Sequence, residues 1–167
     1  MNRKLLFTSF TTWLPHQKSN SSDDLLAEIS DLHQQDSFLR QLPVDIALAS
    51  NLAIAKITEL QPDIIICCGM AESRSQLTIE AKASYRDDIL EARVNLHQLI
   101  TGINGIEISY DAGKFVCEGL YYSILKYLKT SQLSSYCIFV HIPILGQNNL
   151  AEVKNSFLQV AQRLIVI

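Results

Sequence analysis

The sequence predicts an α/β fold, a three-layer α/β/α sandwich around a mostly parallel or mixed twisted sheet. Three observations carry that expectation. Residues 51–61 place leucine, isoleucine and alanine at helical spacing, Pro62 stops the run, and 63–68 follows as an apolar strand. Helix, proline, aspartate, then buried strand is the order a crossover connection requires. From Ile106 onward, apolar strand-like runs alternate with amphipathic stretches, the pattern of strands joined by helices that lie on the sheet. With 167 residues, 48% of them hydrophobic, folding removes about 70% of the unfolded chain's surface from water. One domain spanning 1–167 is therefore expected, and no internal repeat, low-complexity tract or linker divides it.

Taken in order, residues 4–9 read as the first strand and 23–34 as the first helix, with Ser21, Ser22 or Asp23 available to cap it. The apolar run 44–49 predicts a short second strand. The helix 51–61 and the buried strand 63–68 come next, and Leu77, Thr78, Ile79 and Glu80 form a short strand ending on its acid. Residues 84–94 mix charges without a firm period. They read as a surface connection, or alternatively as the first turn of a helix continuing through Ile103. Strand 106–110, helix 115–129, strand 137–142 and helix 151–164 complete the pattern.

Composition narrows the function classes. The net charge is −3 and the Lys and Arg residues are scattered, so neither nucleic acid nor an anionic membrane surface is expected as a partner. Small or weakly charged substrates fit better. The apolar run at Met1 to Phe7 is too short for a secretion signal and is broken by Thr8 and Ser9, and no segment is long enough to span a bilayer. The four cysteines, at 67, 68, 117 and 137, lack zinc-site spacing because adjacent strand residues point to opposite faces. Cys67, Cys68 and Cys137 lie in apolar runs and read as core residues, and a reducing cytoplasm is the expected location.

Cys117 stands apart. It follows Ala112-Gly113-Lys114-Phe115-Val116 at the start of the helix 115–129, where unpaired backbone N–H groups and the helix dipole favour a thiolate and can hold an oxyanion. His141 ends a second apolar strand, before Ile142-Pro143. A third segment, Cys68-Gly69-Met70-Ala71-Glu72-Ser73-Arg74, turns at the carboxyl end of a buried strand, where open α/β sheets bind ligands, and leads to Glu80. Taken singly, Arg74 and Glu80 read as surface charges and His141 as a buried neutral histidine. His16, His33 and His97 read as surface residues.

These segments together resemble the type I pyroglutamyl peptidases, also called pyrrolidone-carboxylate peptidases. The resemblance covers most of the chain. It rests on Leu77-Thr78-Ile79-Glu80 after a glycine loop ending in Arg74, on Ala112 to Cys117, on Val140-His141-Ile142-Pro143, and on Thr8-Ser9-Phe10 with Trp13. It implies a thiol hydrolase that removes an amino-terminal pyroglutamyl or related cyclic acyl residue from a small peptide or cyclic amide. In that reading Cys117 is the nucleophile, His141 the general base and acid, Glu80 its carboxylate partner, and Arg74 an oxyanion stabiliser. Phe10, Trp13, Met70 and Ala71 contact the substrate. Neither metal nor organic cofactor is needed, and a homo-oligomer is possible.

The chain departs from the family at several of these positions. The usual Gly-Gln-Ala-Gly-Gly-Arg loop reads Gly69-Met70-Ala71-Glu72-Ser73-Arg74, and Met70 cannot supply an amide's donors and acceptor. Trp13 replaces a phenylalanine, Glu118 follows the cysteine where asparagine is common, and the chain is shortened between Glu80 and Asn95. A second reading follows, a family-fold protein that binds or hydrolyses a different small amide or is catalytically inactive.

Overall fold

The computed structural model describes residues 3–31 and 34–167. His33 and the end of the helix expected over 23–34 therefore fall at or beside residues outside this description. The elements are β1 (Leu5–Phe10), α1 (Ser21–Ser30), β2 (Ser37–Leu42), α2 (Ile46–Leu60), β3 (Ile64–Met70), β4 (Leu77–Glu80), β5 (Lys82–Tyr85), β6 (Asp88–Glu91), α3 (Leu96–Ile100), β7 (Ile106–Ser109), α4 (Val116–Thr130), β8 (Tyr136–Ile142) and α5 (Leu150–Ile165).

Among the described residues six strands form one sheet in the order β2-β1-β3-β8-β4-β7. All neighbours are parallel except β4 and β8, so β4 and β7 run against the other four. Strand alternation splits the core in two. Leu5, Phe7, Ile64, Ile66, Cys68, Leu77, Ile79, Ile138 and Val140 pack against α1 and α5 on one face. Leu6, Phe10, Ile65, Cys67, Cys137 and Phe139 pack against α2 and α4 on the other. The result is a three-layer α/β/α sandwich with a mixed, mostly parallel sheet.

Three expectations are corrected. The second strand is Ser37–Leu42, not 44–49. Asp45 accepts a hydrogen bond from Leu48 N–H at 2.8 Å and caps α2, so Ile46 to Ala49 form its first turn. The true β2 is polar and partly exposed, held by Phe38 stacking on Phe7 at 5.0 Å and by Arg40, which donates two hydrogen bonds to the Asp23 carboxylate.

The stretch 84–94 is neither a simple surface connection nor the start of a helix. β5 and β6 form an antiparallel hairpin closed at Tyr85 and Asp88, with Arg86 in the left-handed region at φ 54. Only Ala83 and Leu90, opposite one another, turn inward, which leaves the charged positions in solvent and hides the period of two. Tyr122 Oη and Lys126 Nζ both donate to Asp88 Oδ2 and tie the hairpin to α4. Finally, α1 is capped by Asn20, whose side chain accepts from Ser22 N–H, rather than by Ser21, Ser22 or Asp23. Among the described residues no helix is long and apolar enough to cross a membrane.

Candidate active site

Strand parity assembles the site. Gly69 and His141 are register partners in β3 and β8, and Thr78 pairs with His141 across β8 and β4. Because Phe139 faces α2 and α4, His141 faces the same way, and so does Glu80, which lies beyond the oppositely facing Ile79. The Phe139 and His141 rings meet at 4.9 Å between centroids. α4 reaches this face with its first turn. Gly113, at φ 88, turns the chain after β7, its N–H held by Asp111 Oδ1 at 3.0 Å. Phe115 is the N-cap and offers no side-chain hydrogen bond, so the amide N–H groups of the first turn, Cys117 among them, are not capped by a side chain.

Glu80 is fully buried, and its Oε1 accepts from two sides. His141 Nδ1 lies 2.6 Å away and Arg74 Nη1 also 2.6 Å away. Donation to an ionised carboxylate puts the proton on Nδ1, and Nε2 has no hydrogen-bond partner among the described residues. Burial pushes the Glu80 carboxyl up, but the hydrogen bonds from His141 and Arg74 more than offset it and hold the group below its ordinary value. Tyr121, buried beneath, donates to the Glu80 main-chain carbonyl at 3.2 Å.

Cys117 Sγ rests on the backbone of Gly69, where a Cβ would lie only 2.6 Å from the sulfur. No hydrogen bond joins the sulfur to His141. The helix start does not lower this thiol: burial, and then the charge of Glu80, push its pKa up to about 12, with Arg74 opposing. Desolvation outweighs the N-terminal dipole here. The neighbouring acid plays no part, because Glu118 turns away and accepts from Ser84 N–H at 3.0 Å.

The remaining expected residues divide. Arg74 reaches Thr78 and Glu80 through Nη1, and Ser109 Oγ and Asp111 O through Nη2 at 3.3 and 2.8 Å. Its donors thus brace the acid. Phe10 is buried in the core, whereas Trp13 is 36% exposed and packs on Phe115 with ring centroids 6.2 Å apart. Met70, one residue beyond Gly69, faces the α1 side, where its Sδ accepts Ser21 N–H at 3.3 Å. There it lines a cavity of about 310 Å³ with His16, Gln17, Glu72 and Ile144. Ala71 opens the following turn, its N–H held by Ile142 O and its carbonyl by Arg74 N–H. Cys67, Cys68 and Cys137 are buried. Among the described residues no group of three His, Cys, Asp or Glu side chains is placed to share a metal ion.

Sequence reasoning missed the contacts of Glu72. Its carboxylate accepts from Gln17 Nε2 and lies 3.1 Å from His16 Nε2, and His16 is exposed but engaged. Partners more than fifty residues apart leave no local pattern.

A family model described as pyroglutamyl peptidase matches residues 93–164, a span holding Cys117 and His141. Pyrrolidone-carboxylate peptidase 1 of Caldanaerobacter subterraneus subsp. tengcongensis is 23% identical over 95% of this chain and 91% of that protein. The pyrrolidone-carboxylate peptidase of a Thermoanaerobacter species is 27% identical over 85% of this chain and 83% of its own length. The crystal structure of pyroglutamyl peptidase I from Bacillus amyloliquefaciens superposes with a TM-score of 0.87 at 21% identity, covering 100% of this chain and 97% of that one.

Proposed function

Since the chain belongs to the pyroglutamyl peptidase family, we propose that it is a cysteine hydrolase removing an amino-terminal pyroglutamyl or related cyclic acyl residue through Cys117, His141 and Glu80. The observation that carries this reading is the 2.6 Å bond from His141 Nδ1 to buried Glu80, on the sheet face where Cys117 rests against Gly69. It leaves Nε2 as the base. In the first step Nε2 takes the thiol proton while Sγ attacks the acyl carbonyl carbon. The imidazolium, stabilised by Glu80, then protonates the leaving amine as the C–N bond breaks, giving a thioester. Water, deprotonated by Nε2, attacks that thioester and releases the acid, and the proton returns to sulfur. A thiol held at about 12 needs such a base, because little thiolate exists beforehand. The N–H groups of α4's first turn are suited to the oxyanion, where loss of one donor typically costs about 10²–10³ in rate. Arg74 acts from behind, keeping Glu80 ionised and oriented.

A second reading, hydrolysis of a different small amide, is favoured by Met70, which faces α1 instead of the thiol. The purified, reduced protein should release chromophore from a pyroglutamyl-coupled substrate, and Cys117→Ala should release none. Retained activity in Cys117→Ala overturns the mechanism. Wild-type cleavage of other acyl amides but not the pyroglutamyl one selects the second reading.

A further inference from the structure

The segment carrying Trp13 is fastened by two polar side chains. Gln17 Oε1 accepts the N–H groups of both Trp13 and Leu14, at 3.0 and 3.1 Å. The other end of the same amide donates to Glu72 Oε1, and His16 Nε2 holds Glu72 Oε2. Glu72 sits in the turn closed by Arg74 N–H to Ala71 O, and Arg74 continues to Glu80. Hydrogen bonds thus tie the backbone of Trp13 to Glu72, and the backbone turn from Glu72 to Arg74 continues the link to Glu80. The far side of Trp13 meets Phe115, the N-cap of the helix that carries Cys117.

We propose that Gln17 and Glu72 form a clasp that sets the pose of Trp13 against Phe115 and thereby fixes the shape of the acyl pocket beside Cys117. Both are positioning residues, since neither touches the thiol, His141 or Glu80. The clasp has a defined polarity: amide donor at 17, carboxylate acceptor at 72. The loop tip is held where its aromatic ring presents one surface, so an acyl group binds without first ordering the loop. The pocket half of this inference rests on the acyl hydrolase reading above; the clasp itself does not.

The test is a swap. Gln17→Glu places two carboxylates face to face and breaks the clasp. Combining it with Glu72→Gln restores the bond with donor and acceptor reversed, while the carboxylate at 17 still accepts from the Trp13 and Leu14 N–H groups. Trp13 is the only tryptophan, so its emission and acrylamide quenching report the pose directly. Gln17→Glu should shift the emission to the red, make it more quenchable, and raise KM for the pyroglutamyl substrate about three- to tenfold, with kcat held within about twofold. The double variant should recover both readouts. Unchanged emission in the single variant, or a double variant as impaired as the single, overturns the clasp. Altered and rescued emission with an unchanged KM overturns its role in the pocket. Rescued emission in a protein with no acyl hydrolase activity in any form supports the clasp and defeats the hydrolase reading instead.

Discussion

Replacing Gly69 with alanine adds one methyl group at the tightest point of the site. That carbon would stand 2.6 Å from Cys117 Sγ, 2.9 Å from Phe139 Cζ and 3.1 Å from Phe139 Cε1. Favourable heavy-atom contacts begin at about 3.5 Å, so the sulfur has to retreat by roughly 1 Å. Phe139 cannot yield in its place, being fully buried and wedged between Tyr121 and His141. α4 is also close-packed on α2, where a Cβ on Gly119 would stand 2.8 Å from side-chain carbons of Ile46. Overpacking of this kind destabilises by about 1–3 kcal/mol, which lowers the melting temperature by roughly 2–12 °C for a chain of this size. A nucleophile misplaced by about 1 Å loses about 10²-fold in rate. Steady-state hydrolysis of the pyroglutamyl substrate measures the second effect and thermal melting the first. Gly146→Ala, where nothing lies within 4 Å, is the control. Wild-type kcat and melting temperature in Gly69→Ala would refute the placement of the thiol over Gly69.

Iodoacetamide should label Cys117 ahead of the buried Cys67, Cys68 and Cys137, at a rate that keeps climbing into the alkaline range because the thiol titrates at about 12. Peptide mapping that finds another cysteine first, or a rate that levels off near neutrality, counts against it. Glu80→Gln should lower kcat by about 10²–10⁴-fold. It should also flatten the acid limb of stability. The Glu80 carboxyl is held below its ordinary 4.5, so its contribution is present above that value and is lost as pH falls through the lower folded one. An unaltered acid limb in melting curves of the variant excludes Glu80 as its source. Asp45→Ala removes the cap on Leu48 N–H and should cost about 0.5–2 kcal/mol in chemical denaturation. No loss there would return 44–49 to question as a helix start.

Much of the fold is legible because the buried strands are apolar on both faces. The expected 63–68 and 137–142 differ from Ile64–Met70 and Tyr136–Ile142 by one or two residues, since unbroken apolar runs bounded by proline or polar residues have few other uses. β2 and the β5–β6 hairpin are not legible in the same way. Most of their side chains are half-buried or exposed, and what makes them strands is a distant partner: Phe7 and Asp23 for β2, Tyr122 and Lys126 for the hairpin. At the site, residue types were readable and directions were not. Cys117, His141, Glu80 and Arg74 stand out by motif, but Arg74 turning to Glu80, and Glu118 to Ser84, depend on neighbours brought close only by folding. Met70 is the instructive case. With Gly69 under the thiol, parity alone sends the next side chain to the opposite face.

The single reversal of direction in the sheet also makes the site a gauge of assembly. His141 belongs to the block β2-β1-β3-β8 and Glu80 to the reversed pair β4-β7, so the proposed histidine–carboxylate couple spans the joint between two halves of the molecule. That joint is thinly stitched: two register pairs link β4 to β8, against seven between β3 and β8. The couple joins positions 61 residues apart, so it forms only once both halves have found each other. The reverse holds under stress. If the joint parts first, each half keeps its own helices and strands while the imidazole loses its acid, so activity disappears before the secondary structure does.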